Sequence, residues 1–208
     1  MKFSIAASAG LALAGSAIAS PLRTRGAKTA ADIIGEIAPG SLSCSETTEC
    51  RTNVQAAPFL INAMSTYKLQ SAGQIAAVLA LTAFESVDYK YKHNVSPGRP
   101  GQGTSNLQMI NFNIEYANSI PALKDKVAAL GSIDSDDKKN QLLALVTVDE
   151  YNFGSGPWYL TTKCDKDVVS GLTAATDEAF AAYMGCVGVT VTDDRKAYWT
   201  RAKKAFGL

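Results

Sequence analysis

Histidine occurs once in this chain, at His93, and the four cysteines include no Cys-x-x-Cys pair. Those shortages remove the usual zinc spacings, which cluster cysteine and histidine. They also leave a serine or cysteine nucleophile a single imidazole to work with, and no Gly-x-Ser-x-Gly turn is present. Charge of one sign is missing too: the formal net charge is +1, and without Lys2 it is 0. A neutral chain has no electrostatic footprint for nucleic acid or an acidic membrane, so neither is expected as a partner. Beyond the first twenty residues no run is apolar enough to span a bilayer. Internal repeats are absent, and nothing suggests a parallel βαβ series. Asp134-Ser135-Asp136-Asp137 lacks the glycine and terminal glutamate of a calcium loop and reads as a solvated helix start. No metal and no cofactor are expected.

What is present begins with an export signal. Lys2 is followed by an apolar, small-residue stretch to Ile18, and Ala17-Ile18-Ala19 suits a signal peptidase. Cleavage after Ala19 is expected, giving a signal peptide at 1–19, a leader or linker at 20–42 and one domain at 43–208, secreted and monomeric. Cys44, Cys50, Cys164 and Cys186 are even in number, which in an exported protein suggests two disulfides with three possible pairings. Cys44–Cys50 closing a short polar loop and Cys164–Cys186 are the favoured pairs. An unbroken helix would hold the latter two ~30 Å apart, so a break at Ser170-Gly171 is required. Asn94-Val95-Ser96 is a glycosylation triplet, with Pro97 directly behind it.

The domain reads as all-α or mainly α. Apolar spacing predicts helices over about 58–69, 71–88, 106–116, 121–130, 136–151, 165–169, 176–184 and 192–204. Ser71 and Gln74 have the form of a capping box. Gly154 and Gly156-Pro157 are expected to end the fifth helix. The Gly/Pro-rich stretch at about 93–105 predicts a long loop or small hairpin.

Ten residues before Glu85 carry no charge, so the helix that ends there looks buried and Glu85 emerges at its C-terminal end. A carboxyl at the lip of an apolar core is poorly solvated, the setting a general acid requires. Phe84-Glu85-Ser86, a turn-rich loop and Gly103-Thr104-Ser105-Asn106-Leu107-Gln108-Met109 resemble the signature of the lysozyme superfamily, nearest to the goose-type lysozymes and soluble lytic transglycosylases. Ser105 and Asn106 stand where that family has Gly and Leu, and Leu107 where it has Met. From Cys44 onward the chain also resembles a group of secreted fungal lysozyme-like proteins.

The resemblance implies a lysozyme-like helical fold and a glycoside hydrolase cleaving β-1,4 bonds in N-acetylhexosamine glycans, peptidoglycan before chitin. Glu85 would be the catalytic acid; Ser86, Asn106, Gln108 and Met109 would line the groove, with Tyr116 and Trp158 as aromatic sugar platforms. Asp88, Asp149 and Glu150 are the available second carboxylates. The alternative is a catalytically silent glycan-binding or host-interaction protein on the same scaffold. In both readings the partner is a polysaccharide.

Overall fold

The computed structural model describes residues 28–45 and 48–208. The proposed signal peptide and the first part of the leader therefore lie outside the described residues. Among those described the chain is mainly helical, and the all-α expectation holds: α1 Ala30–Ile37, α2 Asn53–Thr66, α3 Ala72–Glu85, α4 Ile110–Ser119, α5 Lys124–Leu130, α6 Asp136–Val146, α7 Asp149–Asn152, α8 Ser155–Lys163, α9 Lys166–Gly171, α10 Asp177–Cys186 and α11 Asp193–Phe206. No described helix is long and apolar enough to cross a membrane.

The central element is α3. Ser71 Oγ accepts from Gln74 N at 3.1 Å and Gln74 Oε1 accepts from Ser71 N at 3.3 Å, a reciprocal cap that starts the helix. From Ala76 to Ala83 every residue is buried, so the helix is apolar on all sides rather than on one stripe. The one hydroxyl in that run, Thr82, is satisfied by Val78 O at 2.9 Å. Packed around α3 are α1, α2, α10 and α11, whose Ile34, Ile37, Leu60, Phe180 and Trp199 form the larger core. Trp199 stacks on Phe180 at 4.8 Å, and its indole N–H donates to Asp177 Oδ1 at 3.0 Å. A second core joins α4, α5, α6 and α8 through Tyr116, Leu123, Val127, Leu142, Val146 and Trp158.

Four expectations need correction. The stretch 30–42 is not a linker: Thr29 caps α1, and Ile34, Ile37 and Ala38 are fully inside the core. The helix placed at 58–69 begins five residues earlier, because Thr52 and Gln55 form a capping box that outweighs Pro58. The amide that Pro58 lacks would have bonded to the carbonyl of Val54, an exposed residue, so the loss is borne at the surface. The helix expected over 136–151 breaks at Thr147-Val148, and Gly156-Pro157 open a helix rather than end one. Pro157 stands third in α8, where its missing N–H has no intrahelical partner to lose. Gly156 is there for close approach: a Cβ would lie 2.7 Å from Thr82 Cγ2, so α8 rests directly on α3.

Cys44–Cys50 closes the segment before α2, and Cys164–Cys186 ties the end of α8 to the end of α10. Within the Gly/Pro-rich stretch the backbone makes two isolated antiparallel bridges, His93 to Gly103 and Gly103 to Gln108. They bring the 103–109 segment beneath the end of α3.

Candidate functional site

A cleft of about 190 Å³ forms where the end of α3 faces this loop. Its lining is Leu81, Glu85, Gln102, Asn106, Leu107, Gln108, Met109, Phe112, Tyr159, Val187 and Val189. Four of the residues singled out in the sequence thus meet there: Glu85, Asn106, Gln108 and Met109.

Glu85 closes α3, at the negative end of the helix dipole, where a carboxylate is disfavoured. Arg195 stands in the first turn of α11, where a cation is equally misplaced. The two charges meet across the cleft wall: Arg195 Nη2 donates to Glu85 Oε1 at 2.8 Å, with side chains only 15 and 16% exposed. The guanidinium also lies over the Phe84 ring at 4.5 Å and donates to Thr190 O at 3.3 Å. Each charge offsets a placement its own helix would penalise. Its carboxyl is therefore ion-paired, not the isolated one the sequence suggested.

Opposite, the amides form a directed chain. Asn106 Nδ2 donates to Gln108 Oε1 at 3.2 Å, Gln108 Nε2 to Asn113 Oδ1 at 2.9 Å, and Asn113 Nδ2 to Gly101 O at 2.8 Å. Asn106 Oδ1 is buried without a partner, which leaves the head of the chain unsatisfied. Gln102 Nε2 donates to Leu107 O at 3.1 Å and holds the loop shut on itself.

Backbone strain flanks the cleft on both sides. Val87, Asp88 and Tyr89 follow one another at φ of 52, 59 and 62°, and Thr104 and Leu107 lie at 66 and 47°. Left-handed conformations in non-glycine residues cost on the order of 1–3 kcal/mol each and persist where surrounding bonds over-determine them. Here Ser86 does much of that. Its hydroxyl donates to Thr82 O at 2.6 Å and accepts from Tyr89 N at 2.9 Å. Asp88 completes the turn by accepting from Gly40 N at 2.8 Å and Tyr198 OH at 2.6 Å. Ser86 is thus a buried positioning residue outside the cleft lining, not a ligand contact.

Tyr116 and Trp158 are not in this cleft either. Both lie in the second core, 5.1 Å apart, and line a separate cavity. Of the candidate second carboxylates, Asp149 is bonded to Arg51 Nε at 2.6 Å and Glu150 faces that other cavity. Glu85 is the one carboxylate in the lining. Arg195, Gln102, Tyr159, Val187 and Val189 were missed. Gln102 lies within the Gly/Pro-rich stretch already noted; nothing local marks the others, which arrive from elements up to 110 residues away in sequence from Glu85.

No family model matches the chain, and no solved structure matches it either. It is similar to a protein of Fusarium oxysporum (strain Fo5176) named bifunctional dioxygenase (DOX)-epoxy alcohol synthase (EAS), 50% identical over 157 residues. Those residues are 74% of this chain but 12% of the relative, so the chain spans about one eighth of that protein's length. This finding overturns the lysozyme resemblance. The relative is named for oxygen chemistry, and neither a lysozyme family model nor a lysozyme structure matches. The glycosidase activity, the silent glycan-binding alternative and the polysaccharide partner fall with it. The Glu-Ser and Leu-Gln-Met agreement was too short to carry them: Glu85 is ion-paired, Ser86 braces a turn, and Leu107, Gln108 and Met109 line the cleft.

Proposed function

We propose that this chain is a ligand-binding domain serving an oxygenating enzyme, and that the Glu85 cleft holds a neutral, hydroxyl-bearing molecule with an apolar body, of the epoxy alcohol class. One observation carries the reading: an ion-paired carboxylate and three side-chain amides share one cleft with seven largely apolar side chains. The carboxylate can only accept and Asn106 Oδ1 is an acceptor without a partner, so both select a hydroxyl; the remaining wall takes carbon. Because Arg195 already balances Glu85, a neutral ligand leaves no buried charge uncompensated. An engineered cavity of ~150 Å³ holds a benzene-sized molecule, so a cleft of about 190 Å³ accepts the oxygenated part of such a ligand while its carbon chain runs outward. The relative's name supports the oxygenated class, and the strained turns on either wall support this cleft as the site.

The reading assigns binding, rather than oxygen activation, to these residues. His93 Nδ1 is bonded to Glu49 Oε2 at 2.7 Å, and the four cysteines form disulfides. Among the described residues no group of three or more His, Cys, Asp and Glu is placed to hold a metal ion.

The test is calorimetric titration with a short-chain epoxy alcohol, the hydrocarbon of equal length, and the Glu85→Gln protein. Saturable binding of the epoxy alcohol is expected, at least about tenfold weaker in Glu85→Gln and for the hydrocarbon. Equal affinity for both ligands, or binding that ignores Glu85, refutes it. Export is part of the same proposal, supported by the two disulfides, which persist in oxidising compartments. Chain recovered from the medium of an expressing host should begin at Ser20; retention of an uncleaved chain inside the cell would contradict it.

A further inference from the structure

The second cavity lies between the end of α2, the end of α4, α7 and α8, and encloses about 420 Å³. Its lining includes Tyr67, Tyr116, Tyr151 and Trp158, and a single formal charge, that of Glu150. No lysine, arginine or histidine lines it. We infer that this cavity is a binding site for a small organic cation, an alkylammonium head group held by aromatic rings with Glu150 as its counter-charge.

Aromatic faces carry the negative part of the ring quadrupole, and several of them around one space attract an ammonium whose methyl groups prevent it from demanding hydrogen bonds. The rings here are set before any ligand arrives: Tyr67 and Tyr151 are partly exposed, while Tyr116 and Trp158, 1 and 4% exposed, back them from the second core. Tyr116 OH donates to Tyr151 O at 2.7 Å, and its ring leans on Trp158 at 5.1 Å. Tyr67 lines the same space beside Tyr116. Loss of solvation pushes the phenols of Tyr67, Tyr116 and Tyr151 above the ordinary tyrosine range, so all three stay neutral. The protein already makes this interaction with Trp158: Lys163 Nζ sits 5.6 Å from the centre of its ring. Lys163 is paired with Glu115 and is not part of the lining.

A neutral hydrocarbon would fill such a cavity without using Glu150, and an anion would be repelled by it. The site is independent of the Glu85 cleft, which shares none of its lining residues.

The experiment uses the disulfide-bonded chain and choline as probe, with 3,3-dimethylbutan-1-ol as the uncharged analogue of the same shape. Binding is read from the indole N–H cross-peaks in NMR, of which the two tryptophans give one each. Choline should shift the Trp158 signal saturably and leave that of Trp199 in place, and the neutral analogue should bind about tenfold more weakly. Glu150→Gln, at an exposed position, should weaken choline by about fivefold or more. Tyr151→Leu, which keeps apolar bulk and removes the ring, should weaken it similarly, while Glu85→Gln should leave it unchanged. No shift of the Trp158 signal, equal response to both probes, or indifference to Glu150→Gln overturns the inference.

Discussion

Replacing Gly73 by alanine should destabilise the protein, although the same change in a helix is ordinarily favourable. Gly73 is the second residue of α3, and helix propensity alone would reward alanine by up to about 1 kcal/mol. A Cβ there would lie 2.1 Å from the backbone oxygen of Leu172 and 3.2 Å from Ala175 Cβ. The obstacle is backbone, so no rotamer relieves it. The start of α3 and the 172–174 turn must separate by roughly 1 Å, at an overpacking cost of about 1–3 kcal/mol. That movement also strains the bond from Gln74 Nε2 to Val169 O, 2.9 Å long, worth about 1 kcal/mol. The net effect is a loss of about 1–3 kcal/mol, or a fall in Tm of about 2–12 °C for a domain of this size. Gly185→Ala is the control, since nothing lies within 4 Å of its Cβ. It should gain a fraction of a kcal/mol. Urea denaturation followed by far-UV circular dichroism measures both. A Gly73→Ala protein as stable as the parent, with an unchanged m-value, would refute the reasoning.

The Glu85–Arg195 pair should behave as a coupled unit. In a double-mutant cycle of Glu85→Gln and Arg195→Met, the double variant should be more stable than the two single losses predict, by about 1–3 kcal/mol; additivity would mean the pair is not formed in solution. Cys164→Ser should cost about 2–5 kcal/mol, read as a lowered Tm under non-reducing conditions, because the bond spans 22 residues between α8 and α10. Asp177 is held below the usual carboxylate range, first by its bond from Lys203 and then by the Trp199 indole. Its contribution is therefore full above the unfolded value near ~3.9 and is lost as pH falls through the lower folded value. Because the side chain is 47% exposed, the effect is screened to well under ~1 kcal/mol. Asp177→Asn should flatten the decline of Tm between pH 5 and 2, and an unchanged acid limb would show that the carboxylate is unpaired in solution.

Legibility in the sequence followed the range of the forces involved. The Ser71–Gln74 cap and the uncharged run behind it marked α3 closely, because both signals act within a turn or two of chain. Thr52 and Gln55 carried the same cap signature for α2, but Pro58 drew the start too far along. At Gly156-Pro157 composition misled more seriously: these residues stop a helix when they follow it and start one when they lead it, and only the packing of α8 on Thr82 selects between the two. The hydrophobic pattern of Ile33, Ile34 and Ile37 was available in the sequence, yet the surrounding small residues made 30–42 read as linker.

The sequence by itself determined the helical class, the capped buried helix and the place of Glu85 at its end, since these depend on periodicity and local hydrogen bonding. Asn106, Gln108 and Met109 were put beside Glu85 through the lysozyme resemblance; they do line one cleft with it, although the resemblance itself does not hold. The tertiary structure alone decided that Arg195 answers Glu85, that Ser86 braces a strained turn, and that Tyr116 and Trp158 belong to a different cavity. Those outcomes depend on where α4, α8 and α11 come to rest against α3. Placement of that kind is set by the shape of two apolar cores summed over many small contacts, and no short stretch of residues encodes it.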